Sequence, residues 1–243
     1  MRTWLALVLV LAGCDKLFSL VHVPDEDQTD GGVACGADCD APLGPPPRLL
    51  ISELSVAGLD GTCSYDDTDE FVEIYNPEPV DANVVGLYLE CSSLTSTAFI
   101  RCGDLPKSVT IAAHGYYLIA NTGYLGDSCG YVGRDPDVVV NSVLTPDAGA
   151  VRLMGAGVEL DRVAWGANPG GEGNALSPWP AAGWSQYFNS VERKASATST
   201  AASMANAGAE ATAGNGYDSG DNRADFVYRN GRDPQSSLSA AEP

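Results

Sequence analysis

From Arg48 onward the chain breaks into short apolar runs that never settle into a helical period. The runs at 49–56, 71–75, 84–90, 109–111, 116–120, 138–140, 150–154 and 158–165 are rich in Val, Ile, Leu and Tyr, and Gly, Pro, Asn or Asp stands between them. Segments this short, at this close a spacing, fit the strands of an all-β sandwich or barrel. With 44% apolar residues in 243 the chain can build a real core, and with only 19% charged residues it has little material for long charged helices. Gly115 after His114, and Gly155-Ala156-Gly157, are placed as hairpin turns. Within 71–75, Val72 and Ile74 alternate with Phe71, Glu73 and Tyr75, so the aliphatic face is expected to be core. Further strands are expected at 190–194 and 225–229, and a short helix near 203–211. Residues 195–216 are almost all Ala, Ser, Thr, Gly and Asn, which reads as a low-complexity surface loop.

The N-terminus, MRTWLALVLVLAGC, has a charged start and an apolar run from Trp4 to Ala12 that is too short to span a bilayer, so residues 1–13 read as an export signal. Leu11-Ala12-Gly13-Cys14 resembles the bacterial lipobox. That resemblance implies a diacylglyceryl group on the Cys14 thiol, cleavage just before it, and attachment to a membrane through the lipid. Cleavage removes Arg2 and takes the net charge from −19 to −20. Residues 14–47 are rich in Asp, Gly and Pro, end in Pro45-Pro46-Pro47, and read as a disordered tether. The location expected is the bacterial cell envelope, with inner or outer membrane left open.

Six cysteines remain beyond Cys14: Cys35, Cys39, Cys63, Cys91, Cys102 and Cys129. An even number in an exported chain points to disulfides. Cys35 with Cys39 and Cys91 with Cys102 are the local pairings, which would leave Cys63 with Cys129. Zinc would need more close Cys or His pairs, and the only two His are His22 and His114. The strong negative charge repels phosphate backbones, so nucleic acid is not an expected partner.

Two acidic stretches raise the question of a site. Asp66, Asp67, Asp69 and Glu70 precede the 71–75 run, and Asn215, Asp218, Asp221, Asn222 and Asp225 lie near the C-terminus. Ca²⁺ wants several oxygens, which makes Asp66, Asp67, Asp69, Asp218 and Asp221 its candidate ligands, although no D-x-D-x-D-G loop is present. Solvated loop carboxylates and Asx turns are the plainer alternative. Glu53 and Glu73 lie inside strand runs. Glycoside hydrolysis would need them to face each other across a cleft; the plainer alternative is outward-facing strand residues or hydrogen bonds to loop backbone. His114 reads as an exposed turn residue, and no nucleophile elbow, Walker loop or dinucleotide fingerprint occurs. Trp179, Trp184 and Tyr187, in a Pro- and Gly-rich loop, are candidates to stack on a sugar or partner side chain, or to cap one end of the fold.

The order LLISELSV, DEFVEIYNP, VDANVVGLYLE, SVTIAAHGYYLIANT, AGAVRLMGAGVELDRVAWG, then Ser190-Val191-Glu192-Arg193, Ala224-Asp225-Phe226 and Asp233-Pro234-Gln235-Ser236, resembles bacterial lamin-tail domains over 48–236. The resemblance implies an immunoglobulin-like β-sandwich, frequently exported or membrane-attached, with no catalytic residues to carry over. Lamin filament formation and DNA binding do not transfer, because this chain has no rod and is strongly acidic. The Cys63 loop, the 91–102 segment and the length of 195–216 depart from the family pattern. The expectation is a non-enzymatic, lipid-anchored module that binds an envelope protein or glycan, followed by a polar tail at 237–243. A calcium-stabilised carbohydrate-binding module and an acid-dependent hydrolase are the alternatives.

Overall fold

The computed structural model describes residues 45–59, 62, 64–124, 134–142, 144–176 and 189–243. The chain divides into Met1–Pro42 and Leu43–Pro243, and the description concerns the second unit. The alternating runs form strands: β1 Leu50–Ser55, β2 Gly58–Leu59, β3 Tyr65–Asp66, β4 Phe71–Tyr75, β5 Ala82–Val85, β6 Tyr88–Ser93, β7 Ile100–Asp104, β8 Ser108–Ile111, β9 Tyr116–Asn121, β10 Val138–Val140, β11 Gly149–Gly155, β12 Val158–Trp165, β13 Asn189–Arg193 and β14 Phe226–Asn230. Two single-turn helices, α1 Ala201–Met204 and α2 Asn222–Asp225, are the helices among the described residues. Among the described residues no helix is long and apolar enough to cross a membrane.

A six-stranded sheet runs β10-β9-β4-β1-β13-β14, and a four-stranded sheet runs β12-β11-β6-β7. Two small pairs, β2-β3 and β5-β8, accompany them. Pairing is antiparallel throughout except for β10 with β9. One apolar core draws on both larger sheets. Ile51, Leu54, Val72, Ile74, Ile119 and Val191 come from the first, and Leu89, Val151, Leu153, Val163 and Trp165 from the second. Each such side chain, fully buried, contributes about 1.5–3 kcal/mol. Val84 and Ile111 of the β5-β8 pair add to the same core, and their strands alternate buried with exposed residues as half-buried strands should.

The aliphatic face of β4 is core, as the alternation of Val72 and Ile74 indicates. The run at 84–90 is two strands rather than one. Gly86 breaks it with φ +67°, a conformation costly for any residue with a Cβ. Gly155-Ala156-Gly157 joins paired β11 and β12, with Ala156 and Gly157 both at positive φ. The turn at His114-Gly115 is not a hairpin. It links β8 to β9, whose partners are β5 and β4, and it is closed by Gly115 N–H donating to the Ala112 carbonyl at 2.9 Å. Which strand pairs with which is a tertiary choice that the turn residues do not make. β7, carrying Arg101, Gly103 and Asp104, lacks the apolar alternation of the other strands and was not expected.

Buried asparagines hold the loops to the sheets. The Asn76 amide nitrogen donates to the carbonyls of Val80, Ile111 and Ala112. Asn168 donates to the Leu94 carbonyl at 2.7 Å and accepts from Gly170 N–H at 2.8 Å. Asn222 accepts from Ala164 N–H and donates to the Arg162 carbonyl, both at 3.0 Å, so one side chain supplies the edge of β12 with what a neighbouring strand would.

The surface loop at 195–216 is held down at several points. Met204 and Asn215 are buried, and Glu210 accepts hydrogen bonds from Ser196, Ser199 and Ser203. The helix expected near 203–211 is the single turn α1, capped by Thr200 and Ser203. The polar tail at 237–243 is held to the sheet. Tyr116 Oη donates to Glu242 Oε2 at 2.8 Å, and Tyr75 Oη donates to the Glu242 carbonyl at 2.5 Å.

Candidate functional site

β4 and β1 lie in the middle of the six-stranded sheet and are buried on both faces. On the face away from the aliphatic core, Glu73, Glu53 and Glu192 occupy paired positions on β4, β1 and β13 and form a row of three carboxyls across adjacent strands. A β-bulge between Ile51 and Glu53 shapes the row. The extra residue, Ser52, donates its hydroxyl to Glu73 Oε1 at 2.6 Å. Residues 204–216 and 232–242 close over this face. Asn215 donates to Glu192 Oε1 at 3.0 Å, Arg229 pairs with Glu192 Oε2, and Gln235 N–H donates to Glu73 Oε2. Beside the row, Phe71, Leu118 and Ala120 make a second small apolar cluster.

Glu53 and Glu73 are therefore not outward-facing but accept from loop backbone at Asp233 and Gln235, and Asp69 and Glu70 are not solvated loop residues: all four are at most 2% exposed. Burial, followed by the Glu192 charge, pushes the Glu53 carboxyl up to about 8. Burial, followed by Glu53, raises Glu73 well above the usual carboxylate range. Burial raises Glu192 too, against the opposing pull of Arg229. Glu70 is held up at about 8 by burial, although Asn121 Nδ2 and Leu144 N–H donate to it at 3.1 and 2.9 Å.

A second buried polar centre joins the two sheets. Arg193 of β13 is fully buried, and its Nη2 lies 2.7 Å from Asp161 Oδ2 of β12. Its Nε donates to the Ile51 carbonyl at 2.9 Å, and Ile51 N–H donates to Asp161 Oδ2 at 2.6 Å. Asp225 stands 3.8 Å from Arg193 Nη1, and the Phe226 ring lies 4.7 Å under the guanidinium. Every heteroatom of this centre is matched to a partner in the fold, so it ties strands together rather than presenting a reactive group.

The calcium candidates are not brought together. Asp69 pairs with Arg232 at 2.7 Å; Asp66 Oδ1 accepts from the backbone and hydroxyl of Thr68; Asp67 is exposed. Asp221 caps α2 by accepting from Arg223 and Ala224 N–H, and Asp218 accepts from Gly220 N–H at 3.2 Å. The Asx turn chemistry of the second stretch is what the fold uses. Among the described residues no three His, Cys, Asp or Glu side chains are grouped to hold a metal ion. Cys91 and Cys102 form a disulfide between β6 and β7, with Cα atoms 5.7 Å apart. Cys14, Cys35, Cys39, Cys63, Cys129, Trp179, Trp184 and Tyr187 lie outside the described residues.

The sequence reading missed Glu192, Arg193, Asp161 and Arg232 as structural ions. The available signal was scarcity: with only 13 Lys and Arg in the chain, an arginine inside or beside a strand run marks a place where a buried carboxylate needs a partner. No family model matches the chain, and no curated protein matches it. Among solved structures it is similar to a DUF4876 family protein from Bacteroides thetaiotaomicron VPI-5482, at 13% identity and a TM-score of 0.48, over 81% of this chain and 74% of that one. At that level the likeness carries neither family nor function to this chain.

Proposed function

We propose that the protein is a non-enzymatic, lipid-anchored component of the bacterial cell envelope, whose lamin-tail-like, immunoglobulin-like sandwich binds or scaffolds an envelope protein or glycan. The observation that carries this reading is the condition of its most reactive-looking groups. Acids that a hydrolase would set across a water-filled cleft sit here on adjacent strands, hydrogen-bonded and covered by the chain's own C-terminal segment. The lipobox-like Cys14 and the Pro-rich tether support the anchored part of the reading. The all-β build, with its disulfide, supports an exported module.

The reading is tested on the intact protein in its own cells. Mass spectrometry of the mature N-terminus is expected to find a diacylglyceryl group on Cys14; an unmodified thiol there removes the anchor. Photo-crosslinking from exposed loop positions is expected to yield discrete adducts with an envelope protein or glycan. A hydrolytic activity abolished by both Glu53→Gln and Glu73→Gln in correctly folded variants would overturn the non-enzymatic assignment.

A further inference from the structure

The three glutamates of the row are not equally provided for. Glu73 accepts from the Ser52 hydroxyl and from Gln235 N–H, one donor on each oxygen. Glu192 accepts from the Asn215 amide on one oxygen and holds the Arg229 guanidinium on the other. Glu53, between them, receives Asp233 N–H at 3.5 Å, the longest of these contacts. The Ser190 hydroxyl on β13 faces Glu53 as a hydrogen-bonding neighbour and favours its charged form, but burial and the Glu192 charge outweigh it. The charged or titratable groups facing Glu53 are Glu73 on β4, Glu192 on β13, Arg229 on β14, Asp233 in the C-terminal segment and Tyr124 after β9. Arg229 is committed to Glu192 and to the Met204 carbonyl. An ionised Glu53 would thus stand buried between two other carboxyls, with the Arg229 guanidinium committed to Glu192, a costly arrangement.

We propose that Glu53 carries a proton in the closed fold, a neutral carboxylic acid between two carboxyls with closer donors, and that this proton helps make closure of the 232–242 segment over the sheet sensitive to pH. The link to the segment is direct. Asp233 and Gln235 lay their amides on Glu53 and Glu73, and Arg232, just before them, pairs with Asp69. With the segment closed, burial keeps the Glu53 proton up to about pH 8. With it lifted, the carboxyl meets water and titrates near the ordinary value of about 4.5. Between those limits the open form holds fewer protons, so opening is favoured as pH rises.

Amide hydrogen exchange on the full chain reads this at the segment itself. Corrected for intrinsic exchange, protection of the Gln235 and Asp233 amides is expected to fall by up to roughly tenfold per pH unit between pH 5 and 8, one proton's worth. In Glu53→Gln, which is neutral at every pH, the fall is expected to be smaller than in the wild type. Glu70→Gln, a buried acid with its own partners at Asn121 and Leu144, is expected to keep the wild-type fall. Wild-type protection that does not change with pH overturns the proposal, as does an undiminished fall in Glu53→Gln. Should Glu53→Gln fail to fold, the assigned carboxyl ¹³C titration of wild-type Glu53 decides. A proton retained above pH 7 supports the proposal, and a midpoint near 4.5 overturns it.

Discussion

The two faces of the six-stranded sheet are both dry, but they are dry for different reasons. One face sets Ile51, Leu54, Val72, Ile74 and Val191 against the aliphatic residues of the second sheet. The other sets Glu53, Glu73 and Glu192, with Tyr75 and Tyr116, beneath later segments, most of them more than a hundred residues on: Tyr116 meets Glu242 across 126 positions, and Asp69 meets Arg232 across 163, while Glu192 meets Asn215 across 23. The first face is stabilised by removing hydrocarbon from water, which is indifferent to pH. The second depends on each carboxyl finding a donor, a guanidinium or a proton. Burial alone therefore says little about what a position contributes; the protonation state and partners of the buried group decide it.

The contrast is sharpest at Arg193, where both sheets meet. Replacing it with Met leaves Asp161 and Asp225 buried without their cation, and the expected cost in denaturant titrations is about 4 kcal/mol. A loss under about 1 kcal/mol would show that the centre tolerates neutral carboxyls. On the aliphatic side, Leu153→Ala is expected to cost about 3 kcal/mol from lost burial and the cavity left behind. Its penalty should be the same at pH 5 and pH 8, and a penalty that changes with pH would blur the distinction between the faces. Asn222→Ala strips the edge of β12 of its acceptor for Ala164 and its donor for Arg162. About 2 kcal/mol is expected, read from thermal unfolding.

The wild type itself should lose stability as pH rises. Glu53 and Glu70, held up at about 8, keep their protons in the folded chain when the unfolded chain has released them above about 4.5. Their contribution is complete below about pH 4.5 and falls through the window up to about 8, by up to about 1.4 kcal/mol per pH unit for each proton. A stability maximum at pH 8 would break the account of the acidic face. The smallest effect belongs to the surface. Asp66→Ala, which removes an Asx turn to Thr68, is expected to cost under about 0.5 kcal/mol, and a chelator should leave the melting temperature where it was. A melting temperature raised by Ca²⁺ would return the acidic loop to the list of ion sites.

What could be read in advance follows the same division. Val72 and Ile74 announce their face because the alternation that places them is local, two residues apart. Glu53 and Glu73 stand at equally regular positions, but the covering chain comes from 204–216 and 232–242, and no window around residue 73 contains it. The bulge at Ser52, which lets both it and Glu53 serve the acidic face, leaves no mark in the pattern LLISELSV. The break at Gly86 was written in a glycine, yet it needed the positive φ to be recognised as a break rather than a tolerated strand residue. The 195–216 stretch looked featureless because small residues hide their role. Asn215 reaches Glu192 and the Arg193 carbonyl, and nothing in the surrounding Ala, Gly and Thr distinguishes it from filler.

Glu242 clasps Tyr75 and Tyr116, and the amide of Glu242 itself donates to the His114 carbonyl. A ribosome delivers those strands more than a hundred residues before their clasp. A chain emerging N-terminus first can assemble its aliphatic layer early, but the acidic side stays open to water until residue 242 is free. The order of synthesis thereby separates the two faces in time. It also makes loss of residue 242 a perturbation of the sheet interior.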